Sequence, residues 1–255
     1  MHFISYTNGG YVDFARNIIA NFEDVLVRHG HRMIMVCIDG IAYDALMSSV
    51  DELPRPWLDV VMHRNDSPSS SCLEKFENFG TPIFNKLMHV KIDIVKKHLA
   101  DHDELYYVDC DVVFFRDPYP TIRATAGDVL FQQDQPVSYH NMIYHTYVCC
   151  GNFVVRKNPA TIAFLEKWTS MCAANPHRND QEVLYDHFQA CAGNDVRGVS
   201  EIAVGILPVE EFQNGYDAFQ AGWKDKPERV CIHANHMSGA DAKRNALGSV
   251  DRWYV

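Results

Sequence analysis

Apolar positions along this chain change period several times. Phe3 to Tyr6 is a short apolar run closed by Thr7-Asn8-Gly9-Gly10, a cluster of turn formers. The spacing then becomes helical, with Phe14, Ile18, Ile19, Phe22, Val25 and Leu26 on one stripe. Arg32 to Ile38 is a second run, stopped by Asp39-Gly40. Strand, helix and strand in so short a stretch make a βαβ unit, which predicts a parallel sheet covered by helices. Ligands of such folds bind beyond the carboxyl ends of the strands. Thr7 to Gly10 and Asp39-Gly40 occupy two of those ends.

Residues 63–80 (His63 to Gly80) have no period and contain Ser67-Pro68-Ser69-Ser70-Ser71, so a loop is expected there, as lid or as plain surface. Thr81-Pro82 supplies an N-cap and an N1 proline for a helix ending near Leu99. Its stripe is Phe84, Leu87, Met88, Ile92, Val95 and Leu99, and Lys91 falls in the middle of it. A lysine there either reaches a negative partner or snorkels to solvent, and both readings stay open.

Leu105 to Val108, Val112 to Phe115, Val129 to Phe131 and Val148 to Val155 read as further strands. Thr161 to Cys172 is helical, with Phe164, Leu165, Trp168 and Met171 as core, and Asp180-Gln181 opens another helix. Ile206-Leu207-Pro208, Val230 to His233 and a short helix near Lys243 complete the pattern. With no internal repeat and no flexible linker, one domain over 1–255 is the default.

Composition narrows the class. The chain has 255 residues, 47% hydrophobic and 22% charged, which is globular rather than disordered or low in complexity. A net charge of −10, without a Lys/Arg cluster, excludes a general nucleic-acid binder. The 8 Cys form no CxxC pair and mostly sit in apolar runs, as in a reduced intracellular protein. Without a leader-like segment or an apolar run of spanning length, no membrane span and a cytoplasmic location are expected.

The strongest chemical signal is Asp109-Cys110-Asp111 between two apolar runs. On a strand, residues i and i+2 face one side, so both carboxylates point together. Paired like charges in apolar surroundings are costly unless a cation or hydrogen bonds compensate them; a solvated strand end or a helix cap is the alternative reading. A hard divalent ion, Mn²⁺ or Mg²⁺, meets that need and also holds a diphosphate. A second signal is His233, at a strand end, followed by Gly239 and Lys243. Glycine allows close backbone approach to a phosphate, and lysine supplies a cation. With Asp109 and Asp111, His233 gives two carboxylates and an imidazole for one metal; taken alone, a histidine at a strand end is as readily just hydrogen-bonded.

These segments, in this order, resemble the nucleotide-diphospho-sugar transferase family of GT-A-fold glycosyltransferases, which includes plant xylosyl- and arabinosyltransferases. The likeness runs through Thr7 to Tyr11, Phe84 to Met88 with Lys91, Asp109 to Asp111 with Arg116-Asp117-Pro118, and Cys150 to Phe153. It continues through Asn179-Asp180-Gln181, Leu207-Pro208, Phe212 to Gly215 and the segment from His233 to Lys243. Relatives often read Gly-Phe where this chain has Gly151-Asn152-Phe153.

The resemblance implies an α/β fold: a single GT-A-type, Rossmann-like domain with a mainly parallel central sheet flanked by helices and a small antiparallel element near the active site. Residues of about 1–120 would bind the nucleotide, and about 121–255 would complete the metal site and bind the acceptor. It implies a nucleotide-sugar donor, a UDP-sugar, a carbohydrate or glycoprotein acceptor, and Mn²⁺ (or Mg²⁺). Transfer would retain the anomeric configuration. Asp109, Asp111 and His233 would serve the metal. Thr7, Asn8 and Gly9 would lie by the nucleoside, with Cys110 between the two aspartates. Gly239 and Lys243 would meet the phosphates. Lys91 would reach the donor sugar or phosphate, and Asp180 and Gln181 would face the sugar near the reacting carbon.

Two other classes compete. Tyr106 to Val113 also resembles the nucleophile loop of HAD-type phosphatases, in which Asp109 would attack phosphorus and Asp111 protonate the leaving group. A non-catalytic nucleotide-sugar-binding module would keep the site without turnover. Acceptor contacts are expected from residues 63–80 and 134–147, where Tyr139, His140, Tyr144, His145 and Tyr147 offer rings for a sugar.

Overall fold

The long apolar runs feed two cores, because alternate residues of each strand face opposite sides. In the computed structural model, residues 1–52, 54–63, 75–77, 80–134, 147–193 and 195–255 are described. Strand β1 (His2–Thr7) sends Phe3 to one side and Ile4 to the other. Strand β2 (Arg32–Cys37) divides Met33 and Met35 from Ile34 and Val36 in the same way. Strand β4 (Glu104–Val108) divides Tyr106 and Val108 from Leu105 and Tyr107. A sheet covered on both faces needs this near-continuous hydrophobicity.

The main sheet has seven strands in the order β3-β2-β1-β4-β7-β6-β8. Strand β3 is Leu58–Met62, β6 is Val129–Gln133, β7 is Val148–Arg156 and β8 is Val204–Ile206. Strands β3, β2, β1 and β4 run parallel, and so do β6 and β8. Only β7 runs against its neighbours, β4 and β6. One face carries α1 (Val12–Val25), α2 (Gly40–Glu52) and α7 (Ala240–Gly248). The other carries α3 (Pro82–Leu99), α5 (Pro159–Ala174) and α6 (Asp180–Ala192). Between β5 (Val112–Phe114) and β6 lies the short helix α4 (Tyr119–Ala124), whose Ile122 joins the first core.

The mainly parallel α/β architecture agrees with the pattern of the sequence. The small element near the site differs in detail. It is a second sheet of three strands, ordered β5, β10 (Cys231–His233) and β9 (Phe212–Gln213). Its β5–β10 pair is antiparallel as expected, but β9 and β10 are parallel. The long connection from residue 214 to 230 permits that parallel return. Asn21 of α1, fully buried, clamps β5: its amide donates to the Phe114 carbonyl (3.0 Å) and its oxygen accepts from the Phe114 N–H (2.7 Å).

Helix starts follow their caps. Thr81 Oγ1 accepts from Phe84 N at 3.1 Å ahead of Pro82, and Asn158 accepts from Thr161 N at 2.8 Å ahead of Pro159. A capping box joins Asn179 and Glu182, which fixes Asp180 and Gln181 in the first turn of α6. Asp39 accepts from Ala42 N at 2.8 Å at the start of α2. No helix among the described residues is long and apolar enough to cross a membrane. Most of residues 63–80, and Tyr139, His140, Tyr144 and His145, lie outside the described residues.

Candidate active site

The carboxyl ends of β1, β4 and β6 meet the start of the reversed strand β7 at one edge of the main sheet. Asp109 follows the last residue of β4, and its N–H donates to the Gly151 carbonyl at 2.7 Å. Asp111 lies two residues on, immediately before β5. His233 ends β10, whose pairing with β5 puts it opposite Val112. Asp109, Asp111 and His233 thereby gather one donor atom each within 4.8 Å of one another. His233 Nε2 stands 3.2 Å from Asp111 and 3.8 Å from Asp109.

Lys243, on α7, forms an ion pair with Asp111. Burial alone would push the Asp111 carboxyl up, but Lys243 and His233 beside it prevail and hold it well below the usual carboxylate range. Asp109 accepts a hydrogen bond from Tyr107 Oη at 2.5 Å and is the more exposed of the pair.

Two carboxylates and an imidazole make an oxygen-rich donor set that suits Mn²⁺ or Mg²⁺. The backbone beside these donors is closely fitted to them. A Cβ at Gly151 would stand 2.2 Å from Asp109 Oδ2 and 2.5 Å from His233 Cε1. Gly151→Ala is therefore expected to displace both donors and weaken Mn²⁺ binding by about tenfold or more. Calorimetric titration with Mn²⁺ measures it, and affinity equal to wild type would contradict this packing.

Lys91 does reach a negative partner. Lys91 is 1% exposed, and its ammonium lies 2.9 Å from Asp180 Oδ2 and donates to the Cys150 carbonyl at 2.9 Å. Burial would lower the lysine, but Asp180 and Asp109 raise it well above its ordinary value, so it stays charged. Burial pushes the Asp180 carboxyl up, with the Lys91 ion pair opposing. Trp168 Nε1 donates to the Asp180 carbonyl at 3.1 Å.

Gln181 bridges two elements: it accepts from Cys150 N at 3.0 Å and donates to Asp134 at 2.9 Å. Thr7 and Asn8 are buried at the end of β1 and line the cleft, and Asn8 Nδ2 donates to the Lys75 carbonyl at 3.1 Å. The N–H of Gly9 donates to Asp39 at 2.7 Å, and Gly9 is not among the cleft-lining residues. Cys110 turns its thiol away, toward Ser5 Oγ at 3.3 Å and the Tyr6 carbonyl at 3.2 Å. Gly239 caps α7 with φ +85°, a left-handed conformation that favours glycine.

Apart from Gly9, the candidate site residues line a cleft of about 720 Å³, together with several that the sequence did not single out. Asp134, at the end of β6, accepts from Asn235 Nδ2 at 2.5 Å and faces His236 Nε2 at 3.5 Å. It thus joins β6, α6 and the segment leading into α7. Tyr11 and Phe76 stack with centroids 4.7 Å apart on the far wall, and Phe84, Leu87 and Met88 of α3 supply an apolar wall. The α3 positions were visible as a stripe; what identifies them as cleft is that Phe84 and Met88 are only partly buried.

A mainly parallel sheet with two carboxylates and an imidazole gathered at its carboxyl edge is consistent with the GT-A fold of glycosyltransferases. The chain belongs to the nucleotide-diphospho-sugar transferase family, whose model matches residues 30–247. It is 22% identical over 280 aligned positions to the UDP-galactose:fucoside alpha-3-galactosyltransferase of Dictyostelium discoideum, covering 97% of this chain and 42% of that protein. It is 25% identical over 189 positions to an arabinosyltransferase of Arabidopsis thaliana, covering 66% of this chain and 29% of that one. The chain thus spans less than half the length of either relative.

Among solved structures, the galactosyltransferase LgtC with donor and acceptor sugar analogs superposes with a TM-score of 0.58 at 13% identity, over 98% of this chain and 96% of LgtC. Mouse xyloside xylosyltransferase 1 gives 0.56 at 10% identity, over 92% and 97%. At such identities the likeness is one of fold. The family match sets aside the phosphatase alternative.

Proposed function

We propose that the protein moves a sugar from a UDP-sugar to a carbohydrate or glycoprotein acceptor, with retention of configuration, using Mn²⁺ or Mg²⁺ at Asp109, Asp111 and His233. The carrying observation is the gathering of those three donors, with Lys243 paired to the buried Asp111 among them. The uridine donor is supported by the name of the Dictyostelium relative. Residues of about 1–120 take the nucleotide, with Thr7 and Asn8 near the nucleoside and Gly9 behind them. Residues of about 121–255 complete the metal site and receive the acceptor. The cysteines, most of them buried in apolar surroundings, fit the cytoplasmic setting proposed here.

Breaking the anomeric bond leaves positive charge on the sugar and negative charge on the diphosphate. A bound divalent ion supplies Lewis-acid stabilisation of the diphosphate. Lys243 adds a fixed positive charge beside it, and the backbone at Gly239 allows close approach of a phosphate. Lys91 has three ammonium hydrogens and spends two on Asp180 and the Cys150 carbonyl, which leaves one for the donor. Asp180 sets negative charge near the sugar, and Gln181, held by Asp134 and Cys150, presents a fixed amide edge next to it. The departing phosphate oxygen takes the acceptor proton, so retention needs no separate base.

The test is release of UDP from a panel of UDP-hexoses and UDP-pentoses with Mn²⁺, followed by NMR of the product's anomeric proton. Release with one donor, a retained anomer and a roughly hundredfold loss in Lys243→Ala are expected. Absence of release from every nucleotide sugar contradicts the proposal.

A further inference from the structure

Cys149 has no part in the chemistry above, yet its thiol lies against the imidazole of His233. On the reversed strand β7, pairing with β6 jumps from Phe131–Phe153 to Gln132–Cys149, an irregularity that swings residues 150–152 out of that ladder. Bulges of this kind commonly re-aim side chains beside active sites. Here Cys149 and Gly151 line the cleft, while Cys150 packs its side chain into the core with Val148 and Phe153.

Cys149 Sγ is 3.3 Å from His233 Nδ1, and it also accepts from the Gly151 N–H at 3.4 Å. Cys149 is 2% exposed, which limits the water that could replace it as partner of that ring nitrogen.

An imidazole that ligates a metal through Nε2 carries its proton on Nδ1, and the partner of that proton sets the ring's orientation. His233 turns Nε2 toward Asp109 and Asp111, so Nδ1–H points at the sulfur of Cys149.

We infer that Cys149 is a positioning residue for the metal centre: its sulfur accepts the Nδ1–H of His233 and holds Nε2 toward the two carboxylates. This rests on the metal-site reading proposed above. A thiol is a weaker acceptor than the carboxylate or carbonyl that usually fills this place, so its main contribution is direction. Serine keeps an acceptor at the position, whereas alanine keeps none.

Titration of the nucleotide-free full chain with Mn²⁺, free ion being read by electron paramagnetic resonance, tests this on wild type, Cys149→Ala, Cys149→Ser and Asp111→Ala. Melting in EDTA checks that each variant is folded. Cys149→Ala is expected to raise the Mn²⁺ Kd by about tenfold to a hundredfold, and Cys149→Ser to recover most of that loss. A role in packing alone would treat the two replacements alike, by melting point and not by Kd. Wild-type affinity in Cys149→Ala, or serine binding no better than alanine, overturns the inference while leaving the metal site standing. Equal Mn²⁺ binding by wild type and Asp111→Ala removes the metal-site reading itself, and this inference with it.

Discussion

Asp111→Ala is expected to lower kcat/KM for the nucleotide sugar by about a thousandfold, the equivalent of roughly 4 kcal/mol of transition-state stabilisation. The size follows from what meets at this carboxylate. It is 4% exposed, it is the shared partner of His233 and Lys243, and with Asp109 it supplies the two oxygen donors of the cluster. Its loss removes a metal ligand and leaves the Lys243 ammonium without its anchor, so both stabilisers of the leaving diphosphate shift together. Asp111→Asn keeps the shape and loses the charge, and should fall nearly as far. Steady-state rates of UDP release decide this, and either variant retaining a tenth of wild-type kcat/KM would contradict the role given to Asp111.

Lys91→Met is the substitution expected to cost most in stability. It strips the partner from a carboxylate that is 2% exposed, and breaking one side of a buried pair costs about 3–5 kcal/mol. At about 2–4 °C per kcal/mol for a chain of this size, the melting temperature should fall by roughly 6–20 °C. Asp180→Leu in the same protein removes the stranded charge, and the double variant should regain most of the loss. Turnover should stay low in the double variant, since the donor still lacks both groups. Calorimetric melting and UDP release, measured together, separate the two effects. A single variant melting within 2 °C of wild type would show that the pair does not hold this face together.

The same residues show how far the sequence was legible. Lys91 stood out because a charge in the middle of an apolar stripe breaks its period, and Asp109-x-Asp111 because strand alternation puts both carboxylates on one side. Both are local signals. Helix α2 and strand β3 were missed: β3 is an edge strand with only Leu58 buried, so its pattern is weaker than that of the central strands. Nothing in a fully buried apolar run reveals strand direction, so the reversal of β7, which brings Cys149 and Gly151 to the site, was not legible. Asp134 meets Asn235 across 101 positions of chain, and no periodicity links them. Gly151 reads as an ordinary strand glycine until the space its Cβ would need is found occupied by Asp109 and His233.

The most direct test of a metal-dependent sugar-nucleotide site is a melting panel of UDP-, GDP- and CMP-sugars, each with Mn²⁺, Mg²⁺ or EDTA. A ligand at 100 times its Kd adds about 2.7 kcal/mol, a rise of several degrees. Such a site requires this rise with a UDP-sugar and Mn²⁺, lost in EDTA and in Asp111→Ala. No rise with any nucleotide sugar, or a rise that survives both EDTA and Asp111→Ala, would contradict it.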